Sequence, residues 1–175
     1  MLGFRMEPDG HADMRWDELD QEACPVARCV AVIGDRWNLM LLRDCFMGVR
    51  RFEDFQARLG ITRHVLADRL RGLVAADILR RAPYHEGRTR YEYRLTPSGM
   101  DLYPVIMAMV TWSNTHRLGA EGRPLLYRHK GCGKHFDAKL VCSECGEALD
   151  PRHTNVEMGP GMPSDQMLRH APVNT

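Results

Sequence analysis

Only three lysines occur among the 175 residues, at positions 130, 134 and 139. Net charge is +1 with histidine neutral, so no overall field draws the chain to nucleic acid or to an acidic membrane surface. No apolar run approaches the about 20 residues that a membrane-spanning helix needs, which excludes an ordinary helical membrane protein and predicts no membrane partner. The first residues are acidic and lack the basic-then-apolar order of a secretion signal, so a cytoplasmic location is expected. Thiols are kept reduced there, and the six cysteines read as metal ligands or reactive thiols rather than as a disulfide framework. H-E-x-x-H is missing, as is a glycine-rich phosphate loop, which argues against the commoner metalloprotease and nucleotide-dependent enzymes.

What is present is unevenly placed. Residues 1–22 carry seven acids and two arginines, whereas residues 50–94 carry eleven arginines and six acids. A local basic block on a nearly neutral chain is the footprint of a nucleic-acid face, and a merely solvated arginine-rich surface has the same composition. The length allows one ordinary domain with a small appendage.

Taken in order, residues 1–22 read as an acidic flexible arm with at most a helical turn near Trp16. Cys24-Pro25 opens the folded part, since proline suits a first helical position whose N–H would be unpaired anyway. Val26, Cys29, Val30 and Ile33 then recur at helical spacing and Gly34 stops the run. A second helix starts near Asp35 or Arg36, carries Trp37, Met40, Leu41 and Leu42, and ends at Met47-Gly48. After a short extended stretch, residues 52–59 form an amphipathic helix closed by Gly60, which stands where a C′ glycine belongs. Thr62 is the N-cap of the next helix, whose Leu66, Leu70 and Leu73 make an apolar stripe. Two short helices joined by about three residues are the sequence form of a helix-turn-helix, and an ordinary pair of packed helices would read alike. Residues 78–82 and 90–95 alternate β-branched or aromatic residues with arginine, as hairpin strands do. Thr96-Pro97 opens a last long helix, in which Pro104 predicts a kink or an early boundary. The expected fold class is therefore mainly α with a small β-hairpin wing: a winged helix-turn-helix over residues 23–118.

Four segments carry a closer resemblance: C-P-V-A-R-C-V-A-V-I-G-D-R-W-N-L-M-L-L-R-D (residues 24–44), R-R-F-E-D-F (50–55), G-I-T-R-H-V-L-A-D-R-L-R-G-L (60–73) and Y-R-L-T-P-S-G (93–99). Together they resemble the HxlR-type bacterial transcription regulators, relatives of the MarR group. The resemblance implies a homodimer bound to double-stranded operator DNA, joined through its first and last helices. The broad apolar face of residues 96–117 agrees with a helix serving both a core and a partner copy.

A recognition helix presents its N-terminal half to base edges in the major groove. Here that half contributes Thr62, Arg63, His64, Ala67 and Asp68. Arg63 is the preferred base reader because a guanidinium pairs bidentately with guanine. Arg71 lies further along and suits a phosphate. Arg69, at the edge of the apolar stripe, suits packing or a salt bridge. At the wing, Arg88, Thr89 and Arg90 beside Gly87 are expected at the backbone or minor groove, and Arg50 and Arg51 clamp phosphates.

Cys24 precedes a helix N-terminus, with Arg28 one turn on, and both features favour a thiolate. The resemblance implies a specific role, because a cysteine before proline is the reactive residue in those HxlR-type members that sense oxidants, quinones or aldehydes. Other members carry it without such a role. Cys24 is thus the redox-sensing candidate and the entry point for an oxidant or small-molecule effector. Cys29 and Cys45 read as small core residues.

Beyond residue 124 the composition shifts. H-K-G-C-G is followed by C-S-E-C-G, each a ligand, two residues, a second ligand and a glycine. His129, Cys132, Cys142 and Cys145 make a tetrahedral set for a structural zinc ion in a ribbon-like segment, residues 125–153. His135 competes with His129, and His153 is a remoter substitute. Residues 154–175 read as a disordered tail. The leading function is a sequence-specific, DNA-binding transcriptional repressor. The alternatives are a zinc-ribbon interaction module with DNA binding secondary, or a zinc-dependent enzyme.

Overall fold

The computed structural model describes residues 16–84 and 90–167. Two compact units are present, one drawn from Met1–Asp35 and Val156–Thr175, the other from Arg36–Asn155.

In the first unit a 3-10 helix, Trp16–Gln21, packs with helix α1, Pro25–Ile33, and buries Leu19. Pro25 occupies the first turn of α1 and Cys24 is its N-cap in extended conformation, with no side-chain cap bond. Gly34 closes the helix by donating its N–H to the Val30 carbonyl. Residues 154–166, within the stretch expected to be disordered, form no helix or strand, but the Gln166 side chain accepts a 2.8 Å hydrogen bond from Ala23 N. The arm expected over residues 1–22 lies outside the described residues up to position 15.

The second unit builds the helix-turn-helix. Helices α2 (Arg36–Phe46), α3 (Phe52–Leu59) and α4 (Arg63–Ala75) pack on one another, and α6 (Tyr103–His116) packs on α2. Their meeting point is Leu41, Leu42, Phe55, Leu66, Leu70 and Leu73, each less than 2% exposed. Burying each of the leucines contributes roughly 1.5–3 kcal/mol. Gly60, at φ 64°, makes the left-handed turn between α3 and α4, a conformation that carries a steric penalty for a residue with a Cβ. Thr62 Oγ1 accepts from Val65 N as predicted for an N-cap. Asp44, fully buried, pairs with Arg43 of its own helix at 2.8 Å and ties α2 to α3 through Arg58 at 3.4 Å.

Strands β1 (Leu79–Pro83) and β2 (Tyr91–Leu95) pair antiparallel, with Leu79 opposite Leu95 and Pro83 opposite Tyr91. The expected short extended stretch before α3 joins β2 as well: Arg51 bridges Glu92, and Tyr93 N donates to the Arg50 carbonyl at 2.7 Å.

One expectation resolves in favour of the second alternative. The last long helix is two helices, α5 (Pro97–Met100) and α6, with Pro104 in the first turn of α6 rather than at an interior kink. The reason is tertiary. A Cβ at Gly99 would stand 2.2 Å from the Ile78 carbonyl oxygen, so α5 is pressed directly onto the start of the hairpin. Buried Thr96 fixes that approach by accepting from Gly99 N at 3.0 Å and donating to the carbonyls of Asp77 and Ile78.

Candidate nucleic-acid interface and carboxy-terminal knuckles

Helix α4 buries its leucine stripe and turns Thr62, Arg63, His64, Asp68 and Arg71 to solvent, with Ala67 half-buried among them. Asp68 is bracketed by its neighbours, 2.9 Å from Arg69 and 3.2 Å from Arg71. Arg69 therefore makes the salt bridge expected of it. The pairing also leaves the Asp68 carboxylate partly neutralised.

The first turn of α4, the start of α3 and the loop end of the hairpin enclose an open cleft of about 440 Å³. Arg51, Arg63 and Arg90 line it together with Phe52, Tyr84, Tyr91 and Tyr93, beside Glu53 and Asp54. Arginine lies over aromatic ring three times here: Arg63 over Phe52 at 4.8 Å, Arg51 over Tyr84 at 4.9 Å and Arg81 over Tyr91 at 4.1 Å. Each contact contributes about 0.5–1 kcal/mol at an exposed site and holds a guanidinium in one orientation. A second cleft, about 520 Å³, shares Tyr93 with the first and gathers Arg50, Arg80, Arg94 and Lys130. Arg94 is turned back by its ion pair with buried Glu92.

Of the expected DNA-facing residues, Arg51, Arg63 and Arg90 thus share one cleft, and Arg50 faces the other. Arg88 and Thr89 lie outside the described residues. The aromatic partners, and Arg80, Arg81, Arg94 and Lys130, were not anticipated. The alternation of Tyr91, Glu92, Tyr93 and Arg94 along β2 was the available signal, because it places both tyrosines on one face.

Later in the sequence of this unit, the two ligand-like turns have the same backbone. Gly133 N donates to the His129 carbonyl at 2.8 Å, and Gly146 N to the Cys142 carbonyl at 2.9 Å. Both glycines have positive φ, 70° and 76°. The Cys142 thiol is held below its ordinary value by the backbone N–H groups of Cys145 and Glu144, with the Cys145 side chain adding to them. Among the described residues, no three His, Cys, Asp or Glu side chains converge as a metal cage. Cys24 is half-buried at the start of α1, and Arg28 donates from Nε to the Glu22 carbonyl at 2.7 Å. Burial, and then Asp44, push the Cys45 thiol up from 9.0 to about 12, which suits the core role expected of it.

A buried leucine-striped helix with an arginine face, followed by a two-stranded hairpin, defines the winged helix-turn-helix class of DNA-binding proteins. Within that class the chain belongs to the family described as HxlR-like helix-turn-helix, whose profile matches residues 32–119. It is 42% identical over 136 residues to an uncharacterized HTH-type transcriptional regulator of Mycobacterium tuberculosis H37Rv, covering 78% of this chain and 86% of the relative. A Bacillus subtilis regulator of the same description, YybR, is 34% identical over 99 residues, 56% of this chain and 79% of the relative. Among solved structures, PA1607, described as a candidate transcription factor, superposes with a TM-score of 0.73 at 32% identity, over 80% of this chain and 98% of that one. The reduced form of the redox regulator HypR does so with 0.51 at 34% identity, over 54% and 94%. The chain is a transcriptional regulator of helix-turn-helix type. No helix among the described residues is long and apolar enough to cross a membrane.

Proposed function

We propose that the protein is a homodimeric, sequence-specific repressor that seats α4 in the major groove and grips the flanking backbone with its wing. The observation that carries this reading is the basic, aromatic-backed cleft formed by Arg51, Arg63 and Arg90 at the first turn of α4. Arg63 reads bases; Arg50, Arg51, Arg71 and Arg90 hold phosphates, with Arg88 and Thr89 assigned to the wing tip on sequence grounds. Repression is the simplest result of occupying a promoter, and the site of action is the cytoplasm, with the DNA.

Dimerisation is supported by α6. It buries Ile106 and Met107 but leaves Val105, Met109 and Trp112 exposed at helical spacing, and Trp112 is 55% exposed. An apolar stripe of this kind on a regulator is a surface for a second copy. Two recognition helices related by a two-fold axis then contact half-sites about 34–36 Å apart. Selection of bound fragments from genomic DNA, followed by titration at several salt concentrations, tests the whole reading. The expected result is a two-fold symmetric site and an affinity that falls steeply with salt. Equal affinity for every fragment, or none for any, refutes it.

An effector role for Cys24 is supported by its place before Pro25 at the head of α1 and by the likeness to HypR, which is a redox regulator. In a DNA-shift assay, diamide should release the wild type and leave Cys24→Ser bound. Equal responses remove the thiol from the mechanism.

A further inference from the structure

Residues 125–149 contain three of the six cysteines and almost no core: Leu125, Leu126, Leu140, Val141 and Leu149 are 47–60% exposed. Yet the segment has a regular construction, because it is written twice with an offset of thirteen residues. Phe136 N donates to the Tyr127 carbonyl at 3.0 Å, and Leu149 N to the Leu140 carbonyl at 3.0 Å. Arg128 bridges His135 as Val141 bridges Ala148. His129 N donates to the Lys134 carbonyl at 2.9 Å, and Cys142 N to the Glu147 carbonyl at 2.8 Å. The positive-φ glycines, Gly133 and Gly146, obey the same offset. Two miniature hairpins with superimposable hydrogen bonding thus present, at matching positions, His129 and Cys132 in one and Cys142 and Cys145 in the other.

The offset decides which histidine belongs to the pair. His129 corresponds to Cys142, whereas His135 corresponds to Ala148, a ladder position on the returning arm. His135 Nε2 also lies 3.3 Å from an Arg128 guanidinium nitrogen, and a cation there disfavours a metal at that ring. His153 falls in the short 3-10 helix Pro151–His153, beyond the second copy. Two of the nearby carboxylates are engaged elsewhere: Arg123 holds Asp137 at both oxygens, and Arg152 holds Asp150. What remains at the matching positions is three thiols and one imidazole.

We propose that the two hairpins close on one Zn²⁺ ion, bound by His129, Cys132, Cys142 and Cys145. Three thiolates and an imidazole at about 2.3 and 2.0–2.1 Å satisfy the tetrahedral preference of zinc and leave no open position, so the ion is structural. The Cys142 and Cys145 thiols already contact each other, and the full set does not converge on one point, so coordination itself supplies the closure that the exposed leucines do not. Binding releases the remaining thiol protons to solvent, and affinity therefore rises with pH through the thiol range. The test of this site needs no DNA.

The full chain, purified without chelator, should carry about one zinc per chain by elemental analysis. Replacement by Co²⁺ should give the intense visible bands of a four-coordinate thiolate site. Cys142→Ser and His129→Ala should lose the stoichiometric metal, while His135→Ala and Cys24→Ser keep it. Far-ultraviolet circular dichroism of the same samples shows that the helices persist, so metal loss is not general unfolding. A metal-free wild type with a six-coordinate cobalt spectrum overturns the proposal. Loss in His135→Ala with retention in His129→Ala overturns the ligand set.

Discussion

Arg63 offers the sharpest test of how this surface reads DNA, because its guanidinium is already stacked 4.8 Å from the centre of the Phe52 ring. Arg63→Ala removes the fork that pairs with a guanine edge. A good bidentate contact discriminates by roughly 1–3 kcal/mol, so the cognate site should weaken by about 5- to 150-fold while unrelated DNA weakens far less. Phe52→Leu keeps an apolar side chain at a half-buried position but removes the ring face. The stack contributes about 0.5–1 kcal/mol at such a site, so affinity should fall by about 2- to 5-fold. The double variant separates the two roles. If Phe52 acts by orienting Arg63, Phe52→Leu should cost nothing more once Arg63 is alanine. Fluorescence anisotropy on the cognate duplex and on a scrambled duplex, at one salt concentration, supplies all four corners of the cycle. Strictly additive losses would show that Phe52 does not position the reader. Equal losses on both duplexes would show that Arg63 touches only the backbone.

Arg71→Ala should weaken cognate and scrambled DNA alike and reduce the slope of log affinity against log salt by about one, as loss of a phosphate contact does; an unchanged slope removes it from the interface. Thr96→Val deletes the hydroxyl that caps α5 and donates to the Asp77 carbonyl at 2.5 Å, which should cost about 1–3 kcal/mol and lower the melting temperature by roughly 2–12 °C; a shift under about 1 °C, roughly 0.5 kcal/mol or less, would refute the role. Cys45 predicts an alkaline limb. Its folded value is raised from 9.0 to about 12, so the unfolded chain ionises first. The protonated thiol's contribution is present in full below the unfolded value and is lost as pH rises from about 9 toward 12. Denaturant titrations of Cys45→Ala should show a flatter loss over that window, and an identical pH profile would count against burial as the cause.

The local signals in this sequence were strong where caps and glycines punctuate it. Gly60, Thr62 and the Cys24-Pro25 pair set helix boundaries by short-range chemistry, and α1, α3 and α4 fall where those residues place them. Pro104 was ambiguous for a physical reason. Proline is tolerated in a first helical turn and kinks an interior one, so its meaning depends on where the helix starts. The start is set by Gly99 against the Ile78 carbonyl, a contact across more than twenty residues that no local pattern reports. The arginine stacks were hidden for the same reason. Phe52 and Arg63 sit on different helices, Arg51 and Tyr84 are joined only through the hairpin, and Arg81 meets Tyr91 diagonally across the β1–β2 register. The ligand spacing of residues 129–145 was legible at once, and the glycine behind the second ligand in each half already favoured His129 over His135; the ladder that pairs Arg128 with His135 agrees with that preference.

The stacks bear on how so modest a charge excess can grip DNA. A long arginine side chain loses up to about 2 kcal/mol of rotamer freedom when immobilised, and that cost is subtracted from every contact it makes. Where the guanidinium rests on a ring before DNA arrives, part of the ordering has occurred in the free protein, and more of the contact energy remains for binding. Three of the arginines around the wing and α4 are held in this way: Arg51, Arg63 and Arg81. Arg71 and Arg69 are held instead by Asp68, an arrangement with the opposite consequence. In the proposed DNA-binding mode these ion pairs rearrange as phosphate approaches, and the interface is graded: the first turn of α4 and the loop end of the hairpin would meet DNA in place, whereas the middle of α4 would engage by exchanging one anion for another. Sequence reading would then rest on Arg63, whose orientation is set before contact.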